Sequence, residues 1–352
     1  MVSVYAVSHG FVQFVAGPVG DRFGKYRTVA VASMIAAAFV AVCGVASSLP
    51  QLVLARLATG AVAGWVIPIS LAYVGDVVAA DRLQPILARY ASGYILGQLF
   101  GQAAGGVLGD LFGWRNVFFA LGGIFAVAAA GLVVDLIADP QTHRAARRGA
   151  KGRSFAADYR AVFSNPFARM IIVAAFLEAG LAWGAFAYIG AHLHARFGLS
   201  FTLIGVSVAF FGFGGLMYAI LVRLLVYRLG QTGLTLIGGL LITAAYIVLV
   251  AESVWWLAPV AVTAIGLGFY MFHNTLQTKA TQMTPQARGT AVAVFSSALY
   301  IGQTAGVAAG ALIFDRFGAS PLFLCIAAAF PALAVWFAYE LWRHQDGERS
   351  SL

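Results

Sequence analysis

Ionisable side chains are scarce in the apolar stretches of this chain, so each one that occurs there is a candidate for chemistry. Glu178 is the one carboxylate well inside an apolar run, about halfway through residues 170–191. A carboxyl group held there can bind and release a proton, which makes it a candidate proton carrier; a satisfied structural acid is the alternative. Arg56 is the one basic residue inside an apolar run. An arginine at the centre of a lipid-spanning helix costs on the order of 2.5–3.5 kcal/mol, so it needs a partner or a wet cavity. A role in proton coupling or gating meets that need, and so does snorkelling to the near interface.

The other polar groups in apolar runs are Gln13, Gln98, Gln102, Gln303, His9, His273 and Asn274. Such groups tie helices together or contact a solute; His273 reads as a capping or packing histidine. Trp65, Tyr94, Trp183, Tyr188 and Tyr270, with Gln13, Gln98 and Asn274, are the candidates for lining a solute cavity. No nucleophile or His/Asp/Glu cluster converges at one depth, which argues against an enzyme. Cys43 and Cys325 lie in apolar runs without metal-ligand spacing, so neither a metal nor a disulfide framework is expected. No Gly-x-x-x-x-Gly-Lys-Ser/Thr loop is present for ATP, and no cofactor is expected; a proton gradient is the energy source that remains.

The elements that must position these groups follow from solvent. Of 352 residues, 61% are hydrophobic and 10% charged, and the mean hydropathy is +0.87. A soluble domain carries about 25% charged residues, so this surface faces lipid. The net charge of +9 does not form a basic stripe with interleaved aromatics, so nucleic acid is not an expected partner. Breaking the chain at charges, Pro and turn residues gives eleven spans, with cores near 2–20, 29–46, 52–74, 90–108, 117–137, 170–191, 201–222, 233–250, 254–276, 290–313 and 321–341. The predicted class is an all-α integral membrane protein.

Lys/Arg placement sets the orientation. With Arg22, Lys25 and Arg27 cytoplasmic, only Arg115, Arg196 and Arg316 fall outside and Arg56 within a span; the rest of the 22 basic residues are cytoplasmic. The C-terminus is then cytoplasmic and residue 1 external. The expected layout is a five-span N-terminal bundle over 1–137, a basic cytoplasmic linker over 138–169 opened by Asp139-Pro140, a six-span bundle over 170–342 and a tail over 343–352. The halves repeat: the segments beginning Gly97-Gln98 and Gly302-Gln303 match at nine of seventeen positions at an offset of 205 residues. Within them Gly97, Gly101 and Gly105 pair with Gly302, Gly306 and Gly310, rows that allow close helix packing. By that offset 170–191 has no partner in the first half, and a helix before Val2 is expected.

Gly17-Pro-Val-Gly20-Asp21-Arg22-Phe-Gly24-Lys25-Tyr-Arg27 resembles the cytoplasmic signature loop of the major facilitator superfamily, with Tyr26 standing in a basic place. Arg56-Leu-Ala-Thr-Gly60 and the glycines from Gly93 to Gly109 resemble two further motifs of that family, the latter associated with antiporters. The resemblance covers the chain apart from a first helix and is nearest to the twelve-helix drug/H⁺ antiporter branch. It implies a two-bundle fold in the cytoplasmic (inner) membrane, working by alternating access as a monomer on a small molecule and protons. Proton-coupled efflux is the implied direction, with uptake by symport and an inactive truncated protein as alternatives. It also implies a gate latch: Asp21 at the helix N-terminus near Gly289–Thr290, where the dipole favours an anion, and Lys25 paired with Asp76.

Overall fold

The structure is a computed structural model that describes residues 2–78, 80–138 and 155–350. Residues 139–154 of the expected linker, Asp139-Pro140 among them, lie outside the described residues, as do the side chain of Asp21 and the surroundings of Gly17.

All regular structure among the described residues is helical. The first half comprises α1 (Val2–Phe23), α2 (Lys25–Val45), α3 (Leu49–Ala63), α4 (Val66–Val77), α5 (Ala80–Phe112) and α6 (Trp114–Ala138). A short α7 (Phe155–Ser164) precedes α8 (Pro166–Phe197), α9 (Phe201–Ala251), α10 (Leu257–Gln282), α11 (Arg288–Phe317) and α12 (Ala319–Ser350). Eight segments of the described residues are long and apolar enough to cross a membrane. Against the eleven spans expected, two differences have local causes. The third span breaks into α3 and α4 at Gly64–Trp65; Pro68, four residues after Gly64, lacks the N–H that would continue the hydrogen-bond ladder. The seventh and eighth spans run together in α9, whose 51 residues would form a rod of roughly 76 Å, more than twice the ~30 Å hydrocarbon core. The chain turns instead at Gly230, with φ 61° and ψ −176°.

The internal repeat is visible in the backbone. Gly113 and Gly318, 205 residues apart, both end a helix with positive φ (79° and 82°). Each N–H donates to the carbonyl four residues back, Gly109 at 3.0 Å and Phe314 at 2.8 Å. This left-handed position costs a residue with a Cβ roughly 1–2 kcal/mol. Side-chain caps start other helices: the Ser48 and Ser200 hydroxyls accept from Gln51 and Leu203 N–H at 3.4 and 3.3 Å.

The contacts divide the chain into two compact units. The first holds Met1–Ser92, Leu108–Ile172 and Ala280–Thr304; the second holds Gly93–Val107, Val173–Lys279 and Ala305–Leu352. In the first, α2 lies along α6, and α1 meets α3 so closely that a Cβ on Gly60 would stand 2.3 Å from the Tyr5 carbonyl oxygen. Ala16, Val29 and Ile69 form a buried core there. Helix α7 is tied in by Tyr159, whose hydroxyl donates to the Phe14 carbonyl, and by Asn165, which donates to the Met283 carbonyl at 2.7 Å. Burial pushes the Tyr159 phenol above its ordinary value, so it remains a donor. In the second unit the large buried side chains are Tyr246, Phe272, Phe323, Phe330 and Phe337. Outward residues are apolar as well: Val127 and Ile220 are 76% and 72% exposed, as lipid-facing positions are.

Candidate functional site

The carboxylate singled out by the sequence has a partner. Glu178 lies on α8, twelve residues and so about 18 Å from its start, with its side chain fully buried. His273 of α10 places Nδ1 3.0 Å from Oε2 and 3.2 Å from Oε1. A buried carboxylate facing an imidazole forms a unit that changes from net negative to neutral on taking up one proton. The His273 ring stacks on Phe269, with centroids 5.0 Å apart and planes at 10°, and Phe269 continues to Trp183 at 5.9 Å. The aromatic packing fixes the imidazole plane on the carboxylate. His273 therefore does not cap a helix: nine residues, about 14 Å, separate it from the end of α10, deep enough for the carboxylate to face it.

Arg56, on α3, is half-buried. Its guanidinium carbon lies 4.7 Å from the Tyr5 ring centroid and 5.8 Å from that of Phe118. Aromatic faces give a cation about 0.5–2 kcal/mol each, depending on desolvation. Tyr5 in turn meets His9 at 5.3 Å, and His9 meets Tyr300 at 4.1 Å.

At the signature loop, Gly24 takes φ 90° between α1 and α2, so the next residue opens α2 with its side chain toward α4. Lys25 Nζ meets Asp76 Oδ2 at 2.5 Å, with the two side chains 15% and 43% exposed. Tyr26, standing in a basic place, donates to Asp135 at 3.2 Å. The loop is thus tied to α4 and α6. Arg22 is exposed and leans over Phe23.

The cavity candidates divide. In the first unit Gln13 is buried, its amide oxygen without a hydrogen-bond partner among the described residues, and Trp65 lines an open groove of about 590 Å³ beside Phe23 and Arg27. In the second, Tyr94 accepts from Gln98 at 3.1 Å, Asn274 donates to the Tyr218 hydroxyl at 2.7 Å, and Trp183 and Tyr270 join rings with Phe211 and Phe269. Tyr188 stacks on Phe314 and donates to the Val307 carbonyl at 2.8 Å, so its hydroxyl is engaged by α11.

The glycine rows also divide. A Cβ on Gly306 would fall 1.9 Å from the Gly180 carbonyl oxygen, and one on Gly310 2.4 Å from that of Gly184; α11 and α8 pack there backbone to backbone. Gly302 is buried in the same row. Gly97, Gly101 and Gly105, expected to pack alike, meet nothing within 4 Å. The contact face of α5 is rotated from them: a Cβ on Gly106 would stand 2.3 Å from the Phe201 carbonyl oxygen, and Leu99 packs on Gly212 of α9.

One constellation escaped the sequence reading. His192 on α8 and Glu252 at the end of α9, 7% and 0% exposed, approach to 3.3 Å. Each sits at the edge of an apolar run, where a charge is ordinarily solvated, so nothing in the residue pattern marks them.

The Major Facilitator Superfamily profile matches residues 1–306. An uncharacterised MFS-type transporter of Bacillus subtilis, YceJ, is 26% identical over 338 residues, covering 93% of this chain and 83% of its own length. The multidrug export protein EmrB of Haemophilus influenzae is 28% identical over 119 residues, 34% of this chain and 23% of its own. Among solved structures, the nucleoside transporter NupG superposes with a TM-score of 0.73 at 12% identity, over 96% of this chain and 89% of its own. A bacterial homologue of the human lysosomal transporter Spinster, inward-facing and unoccupied, superposes with a TM-score of 0.70 at 16% identity over 97% and 95%. Matched along most of its length in sequence and in fold, this chain belongs to the Major Facilitator Superfamily.

Proposed function

We propose that this chain is a proton-coupled secondary transporter that exports a small solute by alternating access, with Glu178 and His273 as its proton-carrying pair. The observation that carries the reading is the fully buried Glu178 carboxylate held 3.0 Å from the His273 imidazole inside a span. A group that must be discharged to sit in a dry site is suited to exchange its proton only when water reaches it from one side or the other. The aromatic rings beside it supply apolar surface for an organic solute, and the partial likeness to a multidrug export protein favours export over uptake. Lys25 and Asp76, with Asp21, are the proposed gate latch, and Arg56 the proposed gating cation.

The test has two stages. A resistance and efflux screen across toxic organic compounds, with cells expressing the chain, is expected to yield at least one compound whose accumulation falls. Glu178→Gln is then expected to abolish uptake of that compound into inverted vesicles driven by a pH gradient while leaving its counterflow exchange intact. Unchanged gradient-driven transport in Glu178→Gln removes this carboxylate as proton carrier; solute-driven proton movement in the same direction as the solute makes the protein a symporter.

A further inference from the structure

The open groove beside Trp65 has no part in the transport reading, and its lining points to an occupant. On α2, Arg27, Val31 and Ile35 follow one another at four-residue steps and line it from one helix face. On α1, Val19 and Phe23 do the same, and Trp65 reaches it from the break between α3 and α4. Thr28 also lines it, but its hydroxyl donates to the Gly24 carbonyl at 2.8 Å. Arg27 brings the only charge to the described lining residues.

The groove has a charged end and an apolar end. Arg27 stands two residues after Lys25, at the helix start that the Lys/Arg distribution places at the cytoplasmic surface. Ile35 lies eight residues farther on, about 12 Å along the axis. Ile35 follows Lys25 by ten residues, and Trp65 precedes Asp76 by eleven. Because Lys25 and Asp76 meet, Ile35 and Trp65 share one depth, about 15–17 Å from that pair. A leaflet is half of the ~30 Å hydrocarbon core, so the groove runs from the headgroup level to about the bilayer midplane. Val31 and Ile35 are exposed, with Met34 beside them, so it opens on a face that meets lipid chains.

At the charged end a second guanidinium stands close. Arg22 is exposed, and its guanidinium carbon lies 5.7 Å from the ring centroid of Phe23, one of the lining side chains. Neither Arg22 nor Arg27 has an ion pair or hydrogen bond among the described residues. Asp76 and Asp135, which the structure places at this end, are engaged by Lys25 and Tyr26.

We propose that this groove holds one acyl chain of an anionic glycerophospholipid of the cytoplasmic leaflet, with the lipid phosphate between Arg22 and Arg27. The chemistry selects that class. Guanidinium groups offer paired N–H donors to phosphate oxygens, and an anionic headgroup brings no ammonium to oppose them. A zwitterionic lipid carries its own cation to the same two arginines. Seated there, the lipid ties the end of α1 to the start of α2 across the Gly24 turn, beside the Lys25–Asp76 pair. The site does not depend on Glu178 and is testable without a transported solute.

Trp65 serves as the reporter. The protein is placed in phosphatidylcholine vesicles containing a minority of phosphatidylglycerol, with bromine, a contact quencher of indole fluorescence, on the mid-chain of one lipid or the other at equal bromine content. The Trp65 signal is the difference between wild type and Trp65→Phe. Brominated phosphatidylglycerol is expected to quench it more than brominated phosphatidylcholine, with a relative affinity of about fivefold for each arginine. Combining Arg22→Gln with Arg27→Gln is expected to abolish that preference. Equal quenching by the two lipids in the wild type, or a preference that survives in the double variant, overturns the anionic site. Absence of quenching by either lipid overturns the groove as a chain site. If Trp65→Phe does not fold, native mass spectrometry counts the phosphatidylglycerol retained by the detergent-purified wild type and double variant. Equal retention overturns the proposal, and loss in the double variant supports it.

Discussion

The two glycine rows occupy matching places in the internal repeat and have different fates. Gly306 and Gly310 of α11 lie against the backbone of α8 at distances that no side chain could share. Gly101 and Gly105 of α5, their counterparts at the 205-residue offset, face open space, as does Gly97, while the neighbouring Gly106 carries the contact with α9. The same residue spacing therefore marks capacity for close packing, and the neighbouring helix determines whether that capacity is used. Energetically the rows differ sharply: on α11 a Cβ collides with backbone, which cannot turn aside as a side chain can.

Substitutions can break this comparison. The largest effect is expected from Gly306→Leu, where a Cβ would stand 1.9 Å from the Gly180 carbonyl oxygen. The cost should reach or exceed about 3 kcal/mol, the upper end for overpacking, and size-exclusion chromatography after heating should show little folded protein. Next come the paired helix ends. Gly113→Ala and Gly318→Ala should each cost roughly 1–2 kcal/mol, because both require a left-handed backbone; nearly equal losses in thermal midpoint would show that the repeat is energetic as well as geometric. Lys25→Gln removes an ion pair whose acid is 43% exposed, so a stability loss of about 0.2–1 kcal/mol, fading with added salt, is expected. The smallest effect belongs to Gly101→Leu, which should leave the midpoint nearly unchanged. A loss there as large as that of Gly306→Leu would erase the distinction between the rows.

Much of the architecture was legible in the residues. Glu178 could be placed inside a span, Lys25 matched with Asp76, and the repeat read from identities that reappear as Gly113 and Gly318 at two helix ends of one conformation. The partner of Glu178 could not be read, because His273 lies 95 residues away and its depth depends on where α10 begins. Glu252 was less legible still. A carboxylate at the edge of an apolar run is ordinarily solvated, and only the approach of α8 and α12 removes it from water.

By itself the sequence determined the solvent, since a chain that is 10% charged must meet lipid, and with it the helical class, the repeat and the family. These follow from local propensities and from apolar length, which act wherever the segment finds itself. Tertiary structure alone decided which ionisable groups were paired, which of two equivalent glycine rows was filled, and that α8 carries two acid–imidazole pairs rather than one carboxylate. Those outcomes depend on which helix faces which, and a buried charge or an absent Cβ acquires its energetic meaning only from the atoms placed opposite it.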